Sequence, residues 1–174
     1  MKLISEKKAL GRLKRLKSDF KTEIVESFEH RAKSCLTCET QGACCLDAHF
    51  VNVHVSRLEA VAIGQVLARL DLQERIEVYQ RIDETIEDYR LTTDGDTFIQ
   101  TFACPLFEKG TGCMVHLDAK PAPCIMHACY ENAADLPPHE LLETREREID
   151  ALNEQTYGRP QPWLPLPLAI RSKA

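Results

Sequence analysis

No run of about 18 apolar residues occurs in the sequence, and a helix spanning a bilayer core needs roughly that length, so no membrane partner is expected. The opening Met1-Lys2-Leu3-Ile4-Ser5-Glu6-Lys7-Lys8 also lacks the apolar centre of a secretory signal, and the expected location is cytoplasmic. Internal repeats and a long linker are missing too. The 174 residues therefore read as a single domain, 1–174, large enough to bury a core without disulfide staples. Nor is there an excess of positive charge: the net charge of −5 speaks against a chain that coats nucleic acid, which is not expected as a partner.

That charge is unevenly spread. Residues 1–33 hold ten Lys and Arg against five Asp and Glu. Aromatic residues do not alternate with these cations as they would on a base-stacking surface, and the segment reads as a solvated helix face.

Cysteine is present and tightly grouped. All eight cysteines fall in Cys35-x2-Cys38-x5-Cys44-Cys45 and Cys104-x8-Cys113-x10-Cys124-x4-Cys129. Disulfides are rare in a reducing compartment, so the thiols read as ligands before they read as bridges, with four disulfides as the alternative that export would favour. Close spacing lets one loop aim several thiolates at one point, which suits a metal ion or a cluster. All eight are candidate metal ligands, and the expected cofactor is Zn2+ or an iron-sulfur cluster.

Structural zinc and the common cubane clusters each take about four cysteines, so eight serve two sites, or one site with thiols to spare. Cys44 and Cys45 bear on this choice. Adjacent side chains diverge, which fits two metals, a polynuclear cluster, or one buried cysteine that is not a ligand. Cys104-Pro105 resembles the Cys-Pro step beside ferredoxin clusters and keeps iron-sulfur level with zinc. Cys35-Leu36-Thr37-Cys38 lacks the βαβ setting of a thioredoxin motif. His116 and His127 follow Cys113 and Cys124 at spacings compatible with mixed ligation, but cysteines enough are present without them. His49 and His54 are weaker candidates, and His30 and His139 read as exposed helix ends. No residue is assigned a catalytic role.

The predicted fold is mainly α, with helices over about 2–32, 56–70, 72–90 and 138–157 around cysteine-rich metal-binding loops. In the first, an amphipathic segment within 1–33, Leu3, Leu10, Leu13, Leu16, Phe20, Ile24 and Phe28 recur at helical steps. Ser56-Arg57-Leu58-Glu59 and Asp71-Leu72-Gln73-Glu74 have the form of capping boxes that open the next two. Leu72, Ile76, Tyr79, Ile82, Ile86 and Tyr89 are the expected apolar face of the third helix. Short β segments are expected near 50–55 and 97–102. Residues 104–129 read as loop, and the Pro-rich tail 159–174 as polyproline-like chain with Trp163 and its leucines packed on the domain.

Over about Cys35 to Cys129 the arrangement resembles the YkgJ-like cysteine-cluster family, of CxxCxxCC type, described as a zinc- or iron-chelating domain. The resemblance rests on Cys35-x2-Cys38 with Cys44-Cys45, the helix opening at Val55-Ser56-Arg57-Leu58-Glu59, and Cys104-Pro105-Leu106-Phe107. It continues through Cys113-Met114-Val115, Lys120-Pro121-Ala122-Pro123-Cys124 and Cys129. Five residues separate Cys38 from Cys44 where the compact family form has two. His116 stands where that family often has tyrosine, and Lys120 and Ile125 where it often has arginine. The resemblance implies a metal-binding core at about 35–129.

The expected function is metal binding through these cysteine loops, with the metal joining the two cysteine groups. The alternatives are an enzyme using a redox-active or open-site cluster, and a metal-stabilised interaction module using the basic N-terminal helix. No protein partner can be named from the sequence.

Overall fold

A computed structural model describes residues 3–34, 39–47 and 51–172. The candidate ligands Cys35 and Cys38, together with His49 and the start of the expected 50–55 segment, lie outside the described residues. The chain is mainly α, and its described strands are two residues each. It divides into two compact units, Met1–Gln41 with Pro121–Gln161, and Gly42–Lys120 with Pro162–Ala174. No helix among the described residues is long and apolar enough to cross a membrane.

In the first unit, Ser5 caps α1 (Glu6–Ser27) by accepting the Lys8 N–H at 3.4 Å. The predicted helix over 2–32 is thus trimmed at both ends: after Ser27 the chain tightens into a three-ten turn, Glu29–Arg31, and then extends as β1 (Ala32–Lys33). The buried stripe is Ala9, Leu13, Phe20 and Ile24, while Leu3 stays exposed. This stripe packs on α5 (Ala122–Met126) and α6 (His139–Tyr157). Arg145 on α6 reaches Glu23 at 2.8 Å and Glu148 at 2.9 Å, with its guanidinium over the Phe20 ring, and so ties α6 to α1. Gly158 closes α6 at φ 77°, a left-handed position suited to glycine. β1 pairs antiparallel with β5 (Cys129–Tyr130), placing Lys33 opposite Cys129.

The second unit opens with a single helical turn, α2 (Ala43–Leu46). Next come β2 (His54–Val55), α3 (Arg57–Leu67) and α4 (Leu72–Asp88). Both predicted capping boxes form: Ser56 with Glu59, and Asp71 with Glu74. The buried face of α4 is Val78, Ile82 and Thr85. Of the stripe read in the sequence, Ile82 is buried and Tyr79 and Ile86 pack against the core, whereas Leu72, Ile76 and Tyr89 are exposed.

Three further readings are corrected. Residues 97–102 hold a three-ten turn, Thr97–Ile99, in place of a strand; the Asp96 carboxylate accepts the Phe98 N–H and bends the chain there. The 104–129 stretch is more ordered than loop, holding a hairpin of β3 (Phe107–Glu108) and β4 (Gly112–Cys113) as well as α5. The tail is not polyproline: β6 (Leu164–Pro165) pairs with β2, and α7 (Leu166–Arg171) follows it. Proline is compatible with the first turn of α7, where an N–H would have no helical partner. Leu166, Ala169 and Ile170 are buried, and α7 supports both α3 and α4.

Candidate metal centre

The two cysteine groups meet inside the second unit. The Cys104 N–H donates to the Cys45 carbonyl oxygen at 2.7 Å, which joins the turn carrying Cys44-Cys45 to the segment leading into the β3–β4 hairpin. Gly42 makes that turn possible. It adopts φ 82°, and a Cβ there would run into the Phe107 ring, so both backbone shape and close approach require glycine.

The hairpin places Cys113 opposite Phe107, three residues after Cys104. The Met114 N–H donates to the Leu106 carbonyl oxygen at 3.0 Å and closes the hairpin beyond β4. Each turn directs backbone donors at its sulfur. The backbone N–H groups of Leu106 and Phe107 pull the Cys104 thiol down, and that of Val115 does so for Cys113, while the Phe107 N–H donates to the Cys104 carbonyl oxygen at 3.3 Å. Donors aimed at sulfur stabilise thiolate relative to thiol.

Burial opposes them. Cys104 and Cys113 both pack against the main apolar cluster, and burial pushes the Cys104 thiol up to about 11, with the N–H groups countering and Cys113 adding repulsion. Burial likewise raises Cys113, against the pull of its backbone donor and the positive charge of Lys120. Burial thus outweighs the backbone donors at both thiols, and Lys120 supplies positive charge to Cys113 alone of the two.

Arg81 braces this corner. It donates to the Pro105 carbonyl oxygen at 3.3 Å and to Met114 Sδ at 3.5 Å, linking α4 to both halves of the hairpin. Neither Arg81 nor Gly42 was singled out from the sequence. The glycine directly before Ala43-Cys44-Cys45 was the readable signal, whereas Arg81 acts across tertiary distance and left none.

The remaining predicted ligands are distributed as follows. Cys44 is exposed and Cys45 half-buried on α2, so the adjacent side chains diverge as expected. Cys124 on α5 and Cys129 on β5 belong to the first unit, whose chain segments also include Cys35 and Cys38, outside the described residues. Among the described residues, the second unit thus holds two cysteines from each sequence group. His116 and His127 are exposed. His54 is engaged elsewhere: its Nδ1 meets the Asn52 carbonyl at 2.7 Å, its Nε2 meets Thr97 Oγ1 at 3.2 Å, and its ring stacks on Phe98. Among the described residues, no three Cys, His, Asp or Glu side chains converge as a metal requires.

No protein-family model, curated protein or solved structure matches the chain.

Proposed function

We propose that this chain is a metal-binding cysteine-cluster protein of the YkgJ-like kind that it resembles, taking zinc or an iron-sulfur cluster through thiolates. The observation that carries the reading is the corner formed by Cys104 and Cys113, where backbone N–H groups face both sulfurs and Cys45 is strapped alongside.

Among the described residues, Cys44, Cys45, Cys104 and Cys113 lie in the second unit and Cys124 and Cys129 in the first. Structural zinc and a cubane cluster each take about four thiolates, so eight serve two sites or one site with thiols to spare, and the adjacent Cys44 and Cys45 favour two metals or a polynuclear cluster over one shared mononuclear ion. Metal binding would displace the thiol protons and draw α2 toward the hairpin. Stability is then coupled to metal, because these short turns have little regular structure of their own.

The test is metal content in the full chain. Cys104→Ser should lower the metal bound per chain and destabilise the second unit, and Cys38→Ser should lower it independently. Unchanged metal stoichiometry and stability in both variants would overturn the reading.

A further inference from the structure

The exposed side of α1 carries a concentrated pattern of positive charge. Lys7, Lys14 and Lys21 are exposed and recur every seven residues, forming one row with steps of about 10 Å. Lys8 and Arg15, also exposed, form a second row about 100° round the helix, with Arg12 beside it. Between the rows lie the small exposed residues Gly11, Ser18 and Thr22. Asp19 is the one carboxylate between Lys7 and Lys21.

Three features separate this face from an ordinary solvated one. Lys8, Arg12 and Arg15 are like-charge neighbours at helical steps, which weakens a helix, whereas a solubilising face intersperses both signs. No ion pair among the described residues engages Lys7, Lys8, Arg12, Arg15 or Lys21. Gly11 sits in the helix interior with nothing within 4 Å of an added Cβ, so packing within the chain does not explain a residue that weakens the helix. Acidic groups gather elsewhere in the same unit, with Glu140, Glu143, Glu148 and Asp150 exposed on α6.

The geometry points to this face as a seat for the phosphate backbone of double-stranded DNA, held by charge without reading sequence. Two cation rows flanking a low floor fit a helix lying in a major groove about 12 Å wide, with one row toward each phosphate strand. The deep, narrow groove of duplex RNA does not admit a helix in this way. A single strand is less suited, since the one aromatic residue between Lys7 and Lys21, Phe20, is buried and cannot stack on a base. A lipid surface is less suited because the apolar stripe Ala9, Leu13, Phe20 and Ile24 is spent within the first unit. The net charge of −5 averages this face with acidic surface elsewhere and so hides it. This inference does not rest on the metal reading.

The test uses the full chain and a mixed-sequence DNA duplex of about 20 base pairs, titrated across salt concentration. Vesicles containing anionic lipid, and the protein alone in sedimentation, run in parallel. Duplex affinity should fall with log salt at a slope of about −4.5 to −5.5, reflecting five or six cations. Lys7→Gln, Lys14→Gln and Lys21→Gln together should weaken binding by at least about tenfold and reduce the slope by about 3, with helical content unchanged by circular dichroism. Equal affinity and slope in the triple variant would overturn the proposal. So would vesicle binding without duplex binding, or salt-sensitive self-association without duplex binding, which would match α1 to the acidic α6 face of a second copy.

Discussion

The Cys104 N–H donates to the Cys45 carbonyl oxygen at 2.7 Å, so residues 59 positions apart in sequence hold the two cysteine groups together in the second unit. A hydrogen bond of the backbone fixes where the turns lie but leaves the sulfurs available. Under the proposed metal binding, the thiols would exchange protons for a metal without dismantling that contact.

Cys104 should be the more sensitive of the two hairpin ligands. Its sulfur faces two backbone donors and is the more strongly perturbed by burial, whereas that of Cys113 faces one. Cys104→Ser should therefore lose more metal than Cys113→Ser in elemental analysis of the purified variants. Both should melt at lower temperature than wild type, because a site that loses a ligand no longer contributes its binding energy to folding.

Gly42→Ala is expected to destabilise by about 2 kcal/mol or more, through the cost of a positive φ and displacement of the Phe107 ring. Denaturant unfolding measures this directly. The same substitution at Gly11, where φ is helical and space is open, should stabilise by about 0.5–1 kcal/mol. Opposite signs at two glycines would separate a structural requirement from one the fold does not impose.

How much of this was readable in advance depends on how local each signal is. Ser56 with Glu59, Asp71 with Glu74, and Gly158 announce helix ends through contacts within one turn, and all three ends fall where the sequence places them. Pro165 and Pro167 misled, because proline read as a breaker is also compatible with the first turn of α7. Gly110 and Gly112, read as loop residues, supply the positive φ values of 86° and 98° around the β3–β4 turn. On α4 the middle of the expected face meets the core through Tyr79, Ile82 and Ile86, while Leu72, Ile76 and Tyr89 at its ends are exposed, because what packs on a helix is not written in its own period. At the candidate centre, the cysteines were legible by number and spacing. Their division between two units was not, since no local pattern encodes which turn meets which.

His54 gives a pH dependence. Burial lowers its pKa below the ordinary 6.5, overcoming the hydrogen bonds at Asn52 and Thr97 and the nearby charge of Asp96, so the folded protein holds the ring neutral more firmly than the unfolded chain does. The unfolded state then binds the proton first as pH falls. This contribution is complete above about 6.5 and is lost as pH drops through the lower folded value. Between about pH 7.5 and 5, wild type should lose more stability than His54→Phe, measured by urea unfolding of each at both pH values. Equal losses would remove His54 from the account.

The most direct measurement is elemental analysis with a visible spectrum on the full chain purified without oxygen. Metal binding through the cysteines requires zinc in a colourless protein, or iron with sulfide and visible absorption, at one or two sites per chain, and most thiols shielded from a thiol reagent until the metal is removed. Protein that binds neither zinc nor iron while all eight thiols react at once, or whose mass shows four disulfides, would contradict it.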